Sequence, residues 1–172
     1  TGTVKGAEAQ EVFRRMKAQE NITRASIYFR YYVNQALAIV GFGDKYLDQL
    51  DIWKKYIEVG ATTWPEDSNI NSTRSDCHAW GASPNIEFFR IILGIDSAES
   101  GFSTVKIEPH LGLLTKISGS MPHPNGEIKV DYEVDKKGKL KASISLPQNT
   151  SGIFVWNGVN KELKSGENNL KF

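Results

Sequence analysis

The hydrophobic period of this chain changes once, near residues 95–104, and that change limits what it can fold into. Residues 22–40 set Ile22, Ala25, Phe29, Val33, Ala36, Leu37 and Val40 at helical spacing, with Asn21 placed as an N-cap. Gly41 and Gly43 end that run. Asp44 can cap a second helix carrying Leu47, Leu50, Trp53 (or Ile52) and Ile57 as far as Gly60. A shorter helix is expected over residues 8–18. Another is expected from Ser83-Pro84, carrying Ile86, Phe89, Ile92 and Leu93 to a stop at Gly94. From about residue 104 the period is two. Ile128, Val130, Tyr132 and Val134 alternate with Lys129, Asp131 and Glu133, and Leu140, Ala142, Ile144 and Leu146 alternate with Lys141, Ser143 and Ser145. Lys136-Lys137-Gly138 reads as the turn between those strands, and Asn157-Gly158 as a two-residue hairpin.

These patterns predict an α+β chain of two parts, a helical part over residues 1–96 and an antiparallel β-sandwich over residues 104–172. Three or four helices joined by short loops make antiparallel hairpins, which normally pack into a larger bundle or barrel. The helical part is therefore expected to be incomplete, with an apolar face left uncovered and a tendency to associate or to be marginally stable. The sequence opens Thr1-Gly2-Thr3 without an initiator Met, which suits a trimmed or excised piece of a longer parent.

Composition narrows the partners. A net charge of +1 gives no basic excess for nucleic acid or for an anionic membrane surface. No apolar run reaches the roughly eighteen residues of a membrane span. The lone cysteine, Cys77, excludes an intramolecular disulfide and is expected to be a small buried apolar residue. His78, His110 and His123 are too far apart in sequence to suggest a zinc ligand set, and no cofactor is implied. His110 and His123 read as turn residues of the sandwich, and Asn149-Thr150-Ser151 matches a glycosylation sequon. For the compartment of the parent, an exported location is favoured over the cytoplasm.

Between the second long helix and the Pro84 helix the periodicity stops. The segment runs Ala61-Thr62-Thr63-Trp64-Pro65-Glu66-Asp67, then residues 68–73, then Arg74-Ser75-Asp76-Cys77-His78-Ala79-Trp80-Gly81-Ala82-Ser83. A long loop holding indoles, carboxylates, an arginine and a histidine between two helices is where function concentrates. The mixture suits a sugar: indole faces cover the apolar side of a pyranose while Asp, Arg and His bond its hydroxyls. Glu66 near water can act as a general base, and inverting glycosidases need a second carboxyl about 6.5–9.5 Å from the first. Arg74 and Asp76 are near enough in sequence to pair and fix the loop. Tyr28, Arg30, Tyr31 and Tyr32 form a helical stripe expected to be mostly core, with room for one Tyr or Arg to face the cleft.

Thr62–Glu66 followed by Arg74–Pro84 resembles the second half of the α-L-rhamnosidase family of glycoside hydrolases. Ile107-Glu108-Pro109-His110-Leu111-Gly112, and a sandwich containing Pro122-His123-Pro124-Asn125-Gly126, follow in a similar order. The resemblance covers essentially the whole chain, and Arg74–Pro84 is its most specific piece. It implies the last hairpins of a six-hairpin α/α barrel followed by a C-terminal sandwich. It also implies that Glu66 is the general base and that His78 binds the sugar; from the residues themselves, Trp64 or Trp80, together with Asp67, is expected to position the ring. Family members often show Thr-x-Trp-Glu at the base, whereas here the order is Thr63-Trp64-Pro65-Glu66, which displaces the tryptophan by one position. The family's acid lies in an upstream motif with no equivalent here, so the chain alone is expected to be inactive and to pack against an upstream half of its own barrel. The expected substrate is a rhamnose-containing glycoside or polysaccharide. The alternatives are an inverting barrel hydrolase for another sugar, and a non-catalytic carbohydrate-binding module working through the sandwich.

Overall fold

The computed structural model describes residues 2–172, which divide into two compact units, one ending at Glu87 and the other spanning Phe88–Phe172. The first unit is helical and the second is built of strands, so the chain is α+β. No described helix is long and apolar enough to cross a membrane.

The first unit contains α1 (Gly6–Ala18), α2 (Ile27–Leu37), α3 (Asp51–Glu58) and α4 (Ser83–Glu87). A π-type turn over Ala38–Phe42 and a 3-10 segment over Gly43–Gln49 link α2 to α3. The linkage starts where Gly41 takes a φ of 85°, in the left-handed region that the absent Cβ allows. Helix α2 begins later than the Asn21 cap predicts. Ile22 is exposed whereas Ile27 is fully buried, so the first turn that gains from packing starts at Ile27, with Ser26 in extended conformation before it.

The buried face of α2 is Ile27, Asn34 and Leu37, so of the predicted stripe Leu37 is in the core while Phe29 faces out. Tyr28, Phe29 and Tyr32 are exposed, contrary to a core role for most of that stripe. Arg30 turns inward, donating to the Gln49 carbonyl at 2.8 Å and pairing with Asp51 at 2.6 Å. Burial works to raise the Asp51 pKa, but the Arg30 hydrogen bond and charge prevail and hold it below the usual carboxylate value. On α3 the inward residues are Ile52, Trp53 and Tyr56, while the expected Ile57 faces out.

One buried cluster crosses this unit. Glu87 is almost completely enclosed, and its carboxylate accepts from Asn34 Nδ2 at 3.0 Å, Tyr46 OH at 3.1 Å and Ser83 Oγ at 3.3 Å. Burial raises its pKa, and the three donors offset only part of that shift. Burial, reinforced by the neighbouring Glu87, raises the Tyr46 pKa as well.

The second unit opens with a π-type turn, Phe88–Ile92, so the helix predicted from Ser83 to Gly94 is realised as α4 and then this wider turn. Eight strands follow: β1 (Ile95–Ser97), β2 (Thr104–Ile107), β3 (Lys116–His123), β4 (Gly126–Val134), β5 (Leu140–Leu146), β6 (Ser151–Trp156), β7 (Val159–Leu163) and β8 (Gly166–Lys171). They form two four-stranded sheets, β1-β2-β6-β7 and β3-β4-β5-β8. The inward residues Ile128, Val130, Tyr132, Ile144 and Leu146 of one sheet share a core with Ile95, Val105, Ile107, Phe154 and Leu163 of the other. This is the predicted alternation realised as a sandwich.

Every pairing is antiparallel except β2 with β6, which run parallel, Val105 opposite Gly152. Parallel neighbours need a crossover, and β3, β4 and β5 in the opposite sheet supply it. Asn157 and Gly158 both take positive φ, 48° and 78°, as a type I′ hairpin turn requires. His123 ends β3 rather than sitting in the turn. It is buried, its Nε2 donates to the Phe102 carbonyl at 2.8 Å, and its Nδ1 accepts from Asn125 N–H. Tyr132, deep in the core, donates its hydroxyl to the Leu93 carbonyl at 2.9 Å.

Glycine substitutions separate close packing from backbone conformation. A Cβ on Gly94 would lie 2.2 Å from the Glu108 carbonyl carbon, and one on Gly152 would lie 2.6 Å from the Val105 carbonyl oxygen. Gly138 has positive φ and open space around it. Gly94→Ala and Gly152→Ala are expected to destabilise the sandwich by about 2–4 kcal/mol, and Gly138→Ala by about 1 kcal/mol, in denaturant titrations. For Glu87 the raised folded-state pKa stabilises the fold below the unfolded value and loses that contribution as pH rises through the folded value. Glu87→Gln, which cannot ionise, should therefore gain in melting temperature relative to the parent as pH rises above the ordinary glutamate value. Glu87→Ala strands two buried donors and should cost about 2–5 kcal/mol.

Candidate active site

The loop between α3 and α4 is held by a short backbone ladder. His78 N–H donates to the Trp64 carbonyl at 2.7 Å, and Glu66 N–H donates to the Ser75 carbonyl at 2.9 Å. Thr63 Oγ1 adds a bond to the Asp76 carbonyl. Residues 63–66 and 75–78 therefore lie side by side although the chain between them is polar and irregular. That intervening stretch is shaped by Asx turns: Asp67 Oδ1 accepts from Asn69 N–H at 2.7 Å, and Asn69 Oδ1 from Asn71 N–H at 3.1 Å.

Three aromatic side chains anchor the ladder to the helices. Trp53 Nε1 donates to the Gly81 carbonyl at 2.7 Å, Tyr56 OH to the Asp67 carbonyl at 3.1 Å, and Trp80 Nε1 to the Glu66 carbonyl at 2.6 Å. At Gly81 a Cβ would stand 2.4 Å from the Pro65 carbonyl oxygen, so the two strands of the loop approach this closely only because that residue is glycine.

Of the five residues singled out in the sequence, four are joined directly. The His78 and Trp80 rings lie 3.8 Å apart between centroids, Trp80 bonds the Glu66 carbonyl, and His78 bonds the Trp64 carbonyl. Both tryptophans are exposed, whereas the Glu66 side chain is only 8% exposed. Asp67 adjoins them, with Oδ1 of its carboxylate accepting the turn hydrogen bond from Asn69 N–H.

Arg74 pairs with Glu66 rather than with the expected Asp76, because the ladder carries Ser75 onto Glu66 and brings the guanidinium over that carboxylate. Cys77 is exposed, not buried, since its flanking residues in the ladder lie along the outer edge of the loop. Of the Tyr28–Tyr32 stripe, from which one Tyr or Arg could face the cleft, it is Tyr28 whose ring packs edge-on against Trp80 at 5.3 Å, and its hydroxyl lies 3.3 Å from that of Tyr32. The aromatic spacing of α2 was legible, but not the loop that would meet it.

A cleft of about 190 Å³ lies between α3 and residues 61–65, walled by Trp53, Tyr56, Ile57, Thr63 and Trp64. That is below the roughly 300 Å³ at which ligand pockets usually begin, and Glu66 and His78 are not in its wall. A larger hollow of about 440 Å³ lies on the outer face of the β3-β4-β5-β8 sheet, lined by hydroxyls and charges such as Ser118, Ser120, Lys129, Asp131 and Ser143, with no aromatic ring. Among the described residues no group of three or more His, Cys, Asp or Glu stands close enough to hold a metal ion.

Residues 94–171 match the family model of the bacterial alpha-L-rhamnosidase C-terminal domain. Among curated proteins none matches the chain. The chain is similar in structure to a GH78 family rhamnosidase of Bacillus sp. GL1, with TM-score 0.81 and 27% identity, over 92% of this chain and 18% of that one. It is also similar to an alpha-L-rhamnosidase from Dictyoglumus thermophilum, with TM-score 0.81 and 19% identity, over 98% and 24% of the two chains. A third likeness is to a Streptomyces avermitilis alpha-L-rhamnosidase complexed with L-rhamnose, with TM-score 0.76 and 17% identity, over 96% and 19%. The chain thus spans about a fifth to a quarter of the length of these enzymes. Residues 94–171 thus carry the match to the bacterial alpha-L-rhamnosidase C-terminal domain, and the chain as a whole is similar in fold to a C-terminal portion of these α-L-rhamnosidases.

Proposed function

We propose that this chain supplies the general base and part of the sugar-binding wall of an inverting hydrolase acting on terminal α-L-rhamnosides. The observation that carries this reading is Glu66. It is an enclosed carboxylate on a loop stapled at both ends, with His78, Trp80 and Trp64 fixed around its backbone. Preorganised groups of this kind suit transition-state chemistry, because their orientation is set before substrate arrives.

In the proposed reaction a water oxygen attacks the anomeric carbon on the face opposite the leaving group and gives its proton to Glu66. The bond from that carbon to the glycosidic oxygen breaks, and the departing oxygen takes a proton from a carboxylic acid in the upstream part of the enzyme. The products are the free alcohol and rhamnose of inverted anomeric configuration. Trp64 and Trp80 offer ring faces to the pyranose, while His78 and Asp67 bond its hydroxyls. No cofactor enters these steps. The exposed apolar residues of the first unit, among them Phe29, Ile39 and Ile57, are the surface that the upstream hairpins of an α/α barrel would cover in this reading.

The test is hydrolysis of an aryl α-L-rhamnoside by the full-length protein carrying this chain. Glu66→Gln should lower kcat about 10²–10⁴-fold with the circular dichroism spectrum unchanged, and the first-formed sugar should show the inverted anomer by NMR. Purified residues 1–172 should show no hydrolysis. Undiminished activity in Glu66→Gln would place the base elsewhere, and cleavage of a different aryl glycoside in preference would reassign the sugar.

A further inference from the structure

We infer that Arg74 is a positioning residue that sets which oxygen of Glu66 faces the reacting water; this rests on the reading of Glu66 as the base. The pair is strongly asymmetric. The Glu66 side chain is 8% exposed and that of Arg74 is 81% exposed, yet Arg74 Nη2 bonds Glu66 Oε1. An exposed group that reaches an enclosed one stands at its mouth, so Arg74 marks the side from which solvent approaches the carboxylate.

The backbone holds the two residues in register. Glu66 N–H donates to the Ser75 carbonyl at 2.9 Å, next to Arg74, and Thr73 Oγ1 donates to the same carbonyl at 3.2 Å. Any movement of one residue therefore carries the other with it.

A carboxylate rotates about its last bond and presents either oxygen. With Oε1 engaged by Arg74 Nη2, rotation of the carboxylate is restrained and Oε2 is the oxygen left to receive the proton. A lysine would supply the charge as a point, without the planar N–H that directs this bond.

The experiment measures kcat and KM for an aryl α-L-rhamnoside in the full-length protein with Arg74→Lys, Arg74→Met, Arg74→Ala, Glu66→Gln and the Glu66→Gln/Arg74→Met double variant. Arg74→Met should lower kcat about 10–100-fold with KM within about twofold, Arg74→Lys should fall between it and the parent, and added guanidinium should restore part of kcat in Arg74→Ala. The double variant should be no slower than Glu66→Gln alone. If Arg74→Met does not fold, Arg74→Lys and guanidinium rescue carry the test. Parent-like kcat in the Arg74 variants beside an inactive Glu66→Gln would overturn the role of Arg74 and leave Glu66 as the base. A change confined to KM, or additive losses in the double variant, would also overturn it. An active Glu66→Gln would remove both readings together.

Discussion

The candidate site depends on a few backbone hydrogen bonds between residues 63–66 and 75–78. They close a polar loop that has no apolar periodicity to hold it, beside helix α3, which carries the anchoring Trp53 and Tyr56. Each such bond contributes only about 1 kcal/mol, but Gly81, Trp80 and the Asx turns each add an independent constraint. The result is a glutamate whose amide, carbonyl and carboxylate are all engaged, each with a different part of the loop. Such over-determination is what allows a loop, rather than a helix or strand, to hold reacting groups steadily.

The sandwich was legible in the sequence because its signal is local. In β4 and β5 the residues that alternate in polarity are the ones that alternate in burial, and Asn157-Gly158 specifies its turn with two residues. The helical unit was less legible, because its burial is decided by contacts distant in sequence. Ile22 and Phe29 fit a helical stripe as well as Ile27 does, but Asn34 is drawn inward by Glu87 across more than fifty positions. Nothing near Glu87 in sequence marks it as buried, except that it lies one helical turn before the apolar Ile91. Likewise the Arg74–Glu66 pair follows from the ladder register, which the spacing of Arg74 and Asp76 does not reveal.

The two units also differ in how they meet their polar groups. The sandwich satisfies most of its interior through strand pairing; Tyr132 and His123 bond main-chain groups, and buried Thr150 bonds the Asn125 side chain and the Gln148 carbonyl. The helical unit instead buries a charged side chain and surrounds it with three donors, a costlier solution that confers specificity only when every donor is in place. Beside an extensive exposed apolar surface, that cluster fixes how α2 and α4 meet through directional bonds, where apolar packing alone would tolerate sliding.

The parallel pairing of β2 with β6 constrains the order of events when the chain folds. Strands β3, β4 and β5 are sequence neighbours joined by short turns, so they can form a meander with little loss of loop entropy. The open edge of β2 has no partner until residues 108–150 have been placed and β6 arrives beside it. Until then β1 and β2 are a two-stranded ribbon, too small to persist alone in water. The high-contact-order step therefore comes last, and the exposed flank of β2 is where an intermediate of this domain would recruit a strand from another molecule. Gly152, whose missing side chain lets β6 lie against Val105, thus governs the seam at which the domain either closes on itself or aggregates.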